Sequence, residues 1–340
     1  MVSPRERVLK ALSLGKADRV PVVPFIISFA AKYAGLRYID YIRDPEKLAE
    51  AQMATAGRFK IDAVYVDSDP VVEIEAMGAR VDYSDDEAPT ASRPAVESRD
   101  DISSLKVPDP HKDGRLPVWL KAIRILKQQV GEKLAVFANI NGPFQAAAQL
   151  RGIARIGMDF YRNPGLVSEL LDLTSETVTA FAKSEIEAGA DAIVLGDAMS
   201  SPNLISPGHF AQFSFPHIRN VIRETGTDVP FFLHICGDST LIIDKMVETG
   251  ARFLEVDAQV DLAMIRQKHG GSVGIRGNVS PMLLLNGKPR EIEDSCRKAI
   301  ESAARPGGFI LGSGCELPRN TPYVNLDTMI SAAEKFGRYV

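Results

Sequence analysis

PGLVSELLDLTSETVTAFAKSEIEAGADAIVLGD, residues 164–197, joins the two patterns that decide the fold. Up to Gly189 it reads as a helix closed by a residue that can take the left-handed cap conformation. DAIVLGD (191–197) then runs apolar without alternation, as strands covered on both faces do. The same unit recurs along the chain. Apolar runs lie at PVVPFII (21–27), DAVYV (62–66), LAVFANI (134–140) and VPFFLHI (229–235). RFLEVD (252–257), SVGIRGN (272–278) and GFILGSG (308–314) complete a set of eight, and helix-like segments such as TLIIDKMVETG separate most of them.

Strands alternating with helices imply a parallel sheet, and eight repeats imply a closed α/β barrel, the (β/α)8 or TIM barrel. A doubly wound open sheet is the rival, but no GxGxxG follows the first strand. Residues 1–340 are therefore expected to form a single barrel domain. One stretch interrupts the pattern: residues 68–115, after the second strand, include VVEIEAMGARVDYSDDEAPTASRPAVESRD. Alternating apolar residues around Gly78 predict a small hairpin there, and a long insertion at this position is expected to cover the barrel mouth as a lid.

Composition limits the possible functions. Hydrophobic residues make up 45% and charged residues 25% of the 340, normal for a chain with a substantial core. The net charge of -4 argues against a nucleic-acid partner, which would need a basic face. No apolar run reaches the length of a membrane span, and the N-terminal MVSPRERVLKALSLGKADRVPV lacks a signal-peptide core. A cytoplasmic location is expected. Cys236, Cys296 and Cys315 cannot all pair, and a cytosolic setting disfavours disulfides.

The chemistry-bearing signal is His234-Ile235-Cys236, in FFLHICGDST, together with Cys315 in ILGSGCELP. Residues two apart on an extended chain face the same side. Strand ends converge on the C-terminal face of a barrel, where active sites are built. One imidazole and two thiolates then define a catalytic zinc site with an open fourth position. Soft sulfur ligands favour zinc over magnesium or calcium. Taken singly, each residue has a simpler reading, since free cysteines and buried histidines also fill cores. Cys296, in EDSCRKAI, reads as helix packing.

Other polar residues fall at the same strand ends: Asp67, Asn139, Asn141, Asp197, Glu255, Asp257 and Asn278. Asn141, Asp197, Glu255 and Asn278 are the candidates for contact with substrate, although such residues also cap the helices that follow strands. Glu255 is a candidate fourth zinc ligand and Glu316 a residue that orients the site. Asp109-Pro110-His111-Lys112-Asp113-Gly114 matches the D-x-H-x-x-G pattern of corrinoid-binding domains. It lacks the preceding strand and following Rossmann-like unit, so it reads as accidental.

The chain resembles the uroporphyrinogen decarboxylase superfamily, specifically its corrinoid-linked methyltransferase branch. That branch includes methylcobamide:coenzyme M methyltransferases and bacterial methyl-ether O-demethylase components. The resemblance covers essentially the whole length and rests on SPRERVLKAL, DRVPV, GADAIVLGDAMSSPNLISPGHFAQFSFPHI, FFLHICGDST, GNVSPMLLL and GSGCELPRNTPYVNL. It implies zinc at His234, Cys236 and Cys315, and a corrinoid (cobalamin) supplied by a separate corrinoid-binding protein. It implies methyl transfer to or from a small molecule, an aromatic methyl ether or a thiol such as coenzyme M; RERVLKAL (5–12) and GCELP (314–318) resemble the bacterial ether-demethylating relatives more than the coenzyme M enzymes. The decarboxylases themselves work without metal and carry an arginine-rich RQAGR-like segment. FIISFAAKYAG (25–35) stands in its place here and lacks arginine, which disfavours decarboxylation. A homodimer is one expected form of the protein.

Overall fold

The computed structural model describes residues 2–67, 69–226 and 228–339. Seven parallel strands form one sheet: β1 (Ala63–Val66), β4 (Ala135–Asn141), β5 (Ala192–Gly196), β6 (Phe231–Ile235), β7 (Phe253–Val256), β8 (Gly274–Val279) and β9 (Phe309–Ser313). Their order is β1-β4-β5-β6-β7-β8-β9. Each overlaps an apolar run read from the sequence, with ends that differ by no more than two residues. The helix before β5, Pro164–Ala188, ends at Gly189 with φ of 112°, the left-handed cap its sequence predicts.

The eighth run closes the barrel without being a regular strand. Val22 bridges Leu311 of β9 in parallel, Val23 N–H donates to Leu311 O at 2.8 Å, and Asp62 N–H donates to Val22 O at 2.9 Å. Pro21 and Pro24 have no N–H to give, so the ladder on both sides is interrupted. The chain thus closes the ring between β9 and β1 with fewer bonds than a full strand makes.

Aromatic rings fill the barrel in a connected series. Phe25 meets Tyr65 at 5.4 Å, Tyr65 meets Phe137 at 5.5 Å, Phe137 meets Phe232 at 5.2 Å and Phe232 meets Phe253 at 4.5 Å. The N-terminal helix, Pro4–Leu12, touches β1, β4 and β9 and carries a capping box between Ser3 and Glu6. Its buried Arg7 pairs with Asp62, just before β1, and with Asp18. The opposite, C-terminal end of the strands is left for the loops that hold functional side chains.

The insertion differs in detail from its sequence reading. Val72–Ala76 forms a short helix, and the hairpin comes later, pairing β2 (Val81–Asp82) with β3 (Thr90–Ala91). Val71, Ile74 and Met77 are all buried and recur at three-residue spacing, which a helix places on one face. The apparent alternation around Gly78 came from a second set of apolar residues that is buried as well. Arg115 closes the neck of the insertion on Asp69 through two bonds of 2.6 and 3.1 Å, and on Glu75 at 2.7 Å. Asp86, at the hairpin tip, receives Arg319 at 2.6 Å. Among the described residues no helix is long and apolar enough to cross a membrane.

Candidate metal centre

β6 presents Phe232 and His234 toward the interior, and Cys236 follows one residue past its end. Cys315 lies two residues beyond β9. The ligand atoms of His234, Cys236 and Cys315 all lie within 4.8 Å of one another. His234 Nε2 stands 3.0 Å from Cys236 Sγ, and the two sulfurs are 3.7 Å apart. That separation is far too long for a disulfide. It matches the spacing of about 3.8 Å that two sulfurs adopt when ~2.3 Å bonds meet tetrahedrally at one ion. The donor set therefore fits a soft divalent metal. His234 is buried, whereas both cysteines are partly exposed, so the centre opens toward the strand-end face.

The environment sets the protonation of these groups. Burial pushes the His234 imidazole down, but the Glu255 charge and a hydrogen bond with Cys315 outweigh it and lift its pKa to about 9. A hydrogen bond with Cys236, together with burial, holds the Cys315 thiol far above its usual range. In the absence of a metal both groups therefore keep protons that a bound ion would have to displace.

Glu255 does not join the ligand atoms. Its backbone carbonyl lies 3.2 Å and its carboxylate 3.6 Å from His234 Nδ1, behind the ring and away from the sulfurs. Burial raises this carboxyl to about 7. Arg276, on β8, is in ion-pair contact with it. Arg276 was not singled out by the sequence reading, although a lone cation inside the apolar run SVGIRGN was a usable signal.

The remaining candidates are occupied by structural bonds. Asn278 Nδ2 donates to Asp257 O at 3.1 Å and Val260 O at 2.8 Å. Asp257 accepts the N–H of Gly237, next to Cys236. Ser201, another residue not anticipated, donates its hydroxyl to Cys236 O at 2.7 Å. Asp197 accepts Gln145 N–H at 2.7 Å and Phe144 N–H at 3.3 Å, capping the helix Pro143–Arg151, and burial lifts its pKa to about 6. Its own N–H donates to His234 O at 2.8 Å. Asn141 donates to Glu73 from both its backbone and its side chain, at 2.7 and 2.6 Å. Glu73 was hidden inside VVEIEA and went unrecognised.

Asp67 and Asn139 are buried at their strand ends. Glu316 accepts the backbone N–H and hydroxyl of Ser28, tying the segment after Cys315 to the helix Ser28–Tyr33. Cys296 is buried in its helix, as packing requires. His111 is exposed in a turn whose bonds run between Asp109 and Asp113, well suited to a surface loop.

A parallel barrel that brings one imidazole and two thiols together at its strand-end face has the layout of an enzyme whose site could hold a metal ion. The chain belongs to the uroporphyrinogen decarboxylase (URO-D) family, whose model matches residues 3–336, and it is a methyltransferase of that family. It is 30% identical to the methylcobamide:CoM methyltransferase MtbA of Methanosarcina mazei, over 98% of each chain. It is 29% identical to the MtbA of Methanosarcina acetivorans, again over 98% of each. A solved methyltransferase from Methanosarcina mazei superposes with a TM-score of 0.90 at 26% identity, covering 99% of both chains.

Proposed function

We propose that the protein moves a methyl group between a small substrate and a corrinoid carried by a separate protein, at a zinc ion held by His234, Cys236 and Cys315. The observation that carries this reading is the convergence of one imidazole and two partly exposed sulfurs at the barrel mouth. Two thiolates would balance the charge of a Zn²⁺ held by these residues, which would leave a substrate sulfur or oxygen its electron density. Bound there, zinc supplies Lewis acidity, lowering a thiol's pKa or polarising a methyl ether.

The protein's own side chains set up that chemistry. His234 presents Nε2 to the sulfurs because its Nδ1 faces Glu255. Asp257 and Ser201 hold the turn that carries Cys236, and Glu316 anchors the segment after Cys315. Asn141, Asp197 and Asn278 brace the loops that shape the mouth, and there they stand beside the substrate's path. The insertion, described from residue 69 to 115, covers the mouth from the β1 side; its contact from Asp86 to Arg319, four residues past Cys315, supports that placement.

Two substrate classes suit the centre. In the thiol direction the substrate's proton passes to solvent and its sulfur takes the methyl group from the partner's methyl-cobalt(III), the carbon–cobalt bond breaking to leave cobalt(I). In the ether direction cobalt(I) takes the methyl group and the oxygen leaves as an alkoxide or phenoxide. The names of the similar Methanosarcina enzymes favour a thiol. A screen with methylcobalamin plus thiols, and cob(I)alamin plus aromatic methyl ethers, tests both. Purified protein should hold one zinc, and Cys236→Ala and Cys315→Ala should lose both metal and transfer. Full transfer by either metal-free variant would sink the proposal.

A further inference from the structure

Arg276 is fully buried in the barrel, its guanidinium 4.9 Å from the Tyr65 ring, 5.6 Å from Phe25 and 5.7 Å from Phe232. It reaches Glu255, also fully buried, on the neighbouring strand β7. Beyond this ion-pair contact, no guanidinium nitrogen and neither Glu255 oxygen has a hydrogen-bond partner among the described residues. Such a pair is a poor source of stability for a barrel core. A buried ion pair is often no better than apolar side chains of the same volume, and an aliphatic chain would pack among three aromatic rings. What distinguishes this pair is its neighbour, since the Glu255 carboxylate stands 3.6 Å from His234 Nδ1.

We propose that Arg276 is a positioning residue of the metal centre. It anchors Glu255 behind the imidazole, so that the carbonyl and carboxylate of Glu255 both face Nδ1 and the ring is held with Nε2 toward Cys236 and Cys315. This assignment rests on the reading of those three residues as metal ligands. The reach is short and rigid: Glu255 pairs with His234 across β6 and β7, and with Arg276 across β7 and β8. Three adjacent strands in register thus carry ligand, orienter and anchor in one row. Residues that orient a ligating histidine typically alter metal affinity by about 10–100-fold when removed.

The test measures zinc affinity by chelator competition on the full-length protein, together with the visible spectrum of the cobalt(II)-loaded form. Glu255→Gln and Arg276→Met should each weaken zinc binding by about tenfold or more and shift the cobalt bands. Arg276→Lys, which keeps the charge, should restore part of the loss. In the double variant Glu255→Gln/Arg276→Met the losses should not multiply, because both act through one ring. That variant leaves no unpaired buried charge, so it reports even where Arg276→Met alone fails to fold. Wild-type affinity and an unchanged cobalt spectrum in the folded double variant would overturn the assignment, as would losses that multiply. Wild-type protein that binds neither zinc nor cobalt would instead overturn the underlying reading of the ligands.

Discussion

The carboxylate of Asp257 accepts the backbone N–H of Gly237 at 2.9 Å, fastening the end of β7 to the turn that carries Cys236. Asn278 in turn donates to the Asp257 carbonyl from β8. Three strand ends are thereby joined beside the two cysteines. An Asp257→Ala change removes the acceptor and leaves a backbone N–H without its partner, at a cost of about 1–2 kcal/mol. The variant should bind zinc more weakly, whereas Asp257→Asn, which keeps an acceptor oxygen, should stay close to wild type. Equal zinc affinity in Asp257→Ala would remove this residue from the account.

Gly314 approaches the same clamp from β9. A Cβ at this position would lie 2.7 Å from Ala258 N and 3.1 Å from Asp257 Cα, and both are backbone atoms. Gly314→Ala therefore forces the segment bearing Cys315 away from the loop after β7. We expect a loss of about 1–3 kcal/mol in urea unfolding, with weaker metal binding. A variant of wild-type stability would mean that the loops give way without strain.

Metal removal should leave the barrel standing. The strand ladder and the aromatic series from Phe25 to Phe253 hold the core without help from an ion. After chelation, far-UV circular dichroism should be unchanged while methyl transfer is lost. Cooperative unfolding on chelation would instead identify the ion as a structural staple.

Glu73 gives the fold a pH dependence. Burial raises its pKa to about 7, against 4.5 for the free side chain, despite the two bonds from Asn141. Between those values the folded protein binds more protons than the unfolded chain, so stability falls as pH rises through the window and is level above it. The loss is at most about 3 kcal/mol. Asp197, raised to about 6, slopes the same way. Thermal midpoints from pH 5 to 8 should decline in wild type and decline less in Glu73→Gln. An identical slope in that variant would show that Glu73 is ionised throughout.

The sequence by itself determined the alternation of helices and strands, hence the barrel, and the pairing of His234 with Cys236 two residues on. Both are local: an apolar run followed by a glycine-capped helix, and a two-residue period, are legible along the chain. Cys315 was legible because barrel topology brings all strand ends to one face. Only the tertiary structure decided the partners of the remaining polar groups. Asp197 lies 52 residues from the Gln145 N–H it accepts, and Asn141 lies 68 from Glu73. Arg276 meets Glu255 only because β7 and β8 pair in that register. Such contacts follow from how strands curl into a closed ring, where burial drives most polar groups to a neighbour that no local pattern names.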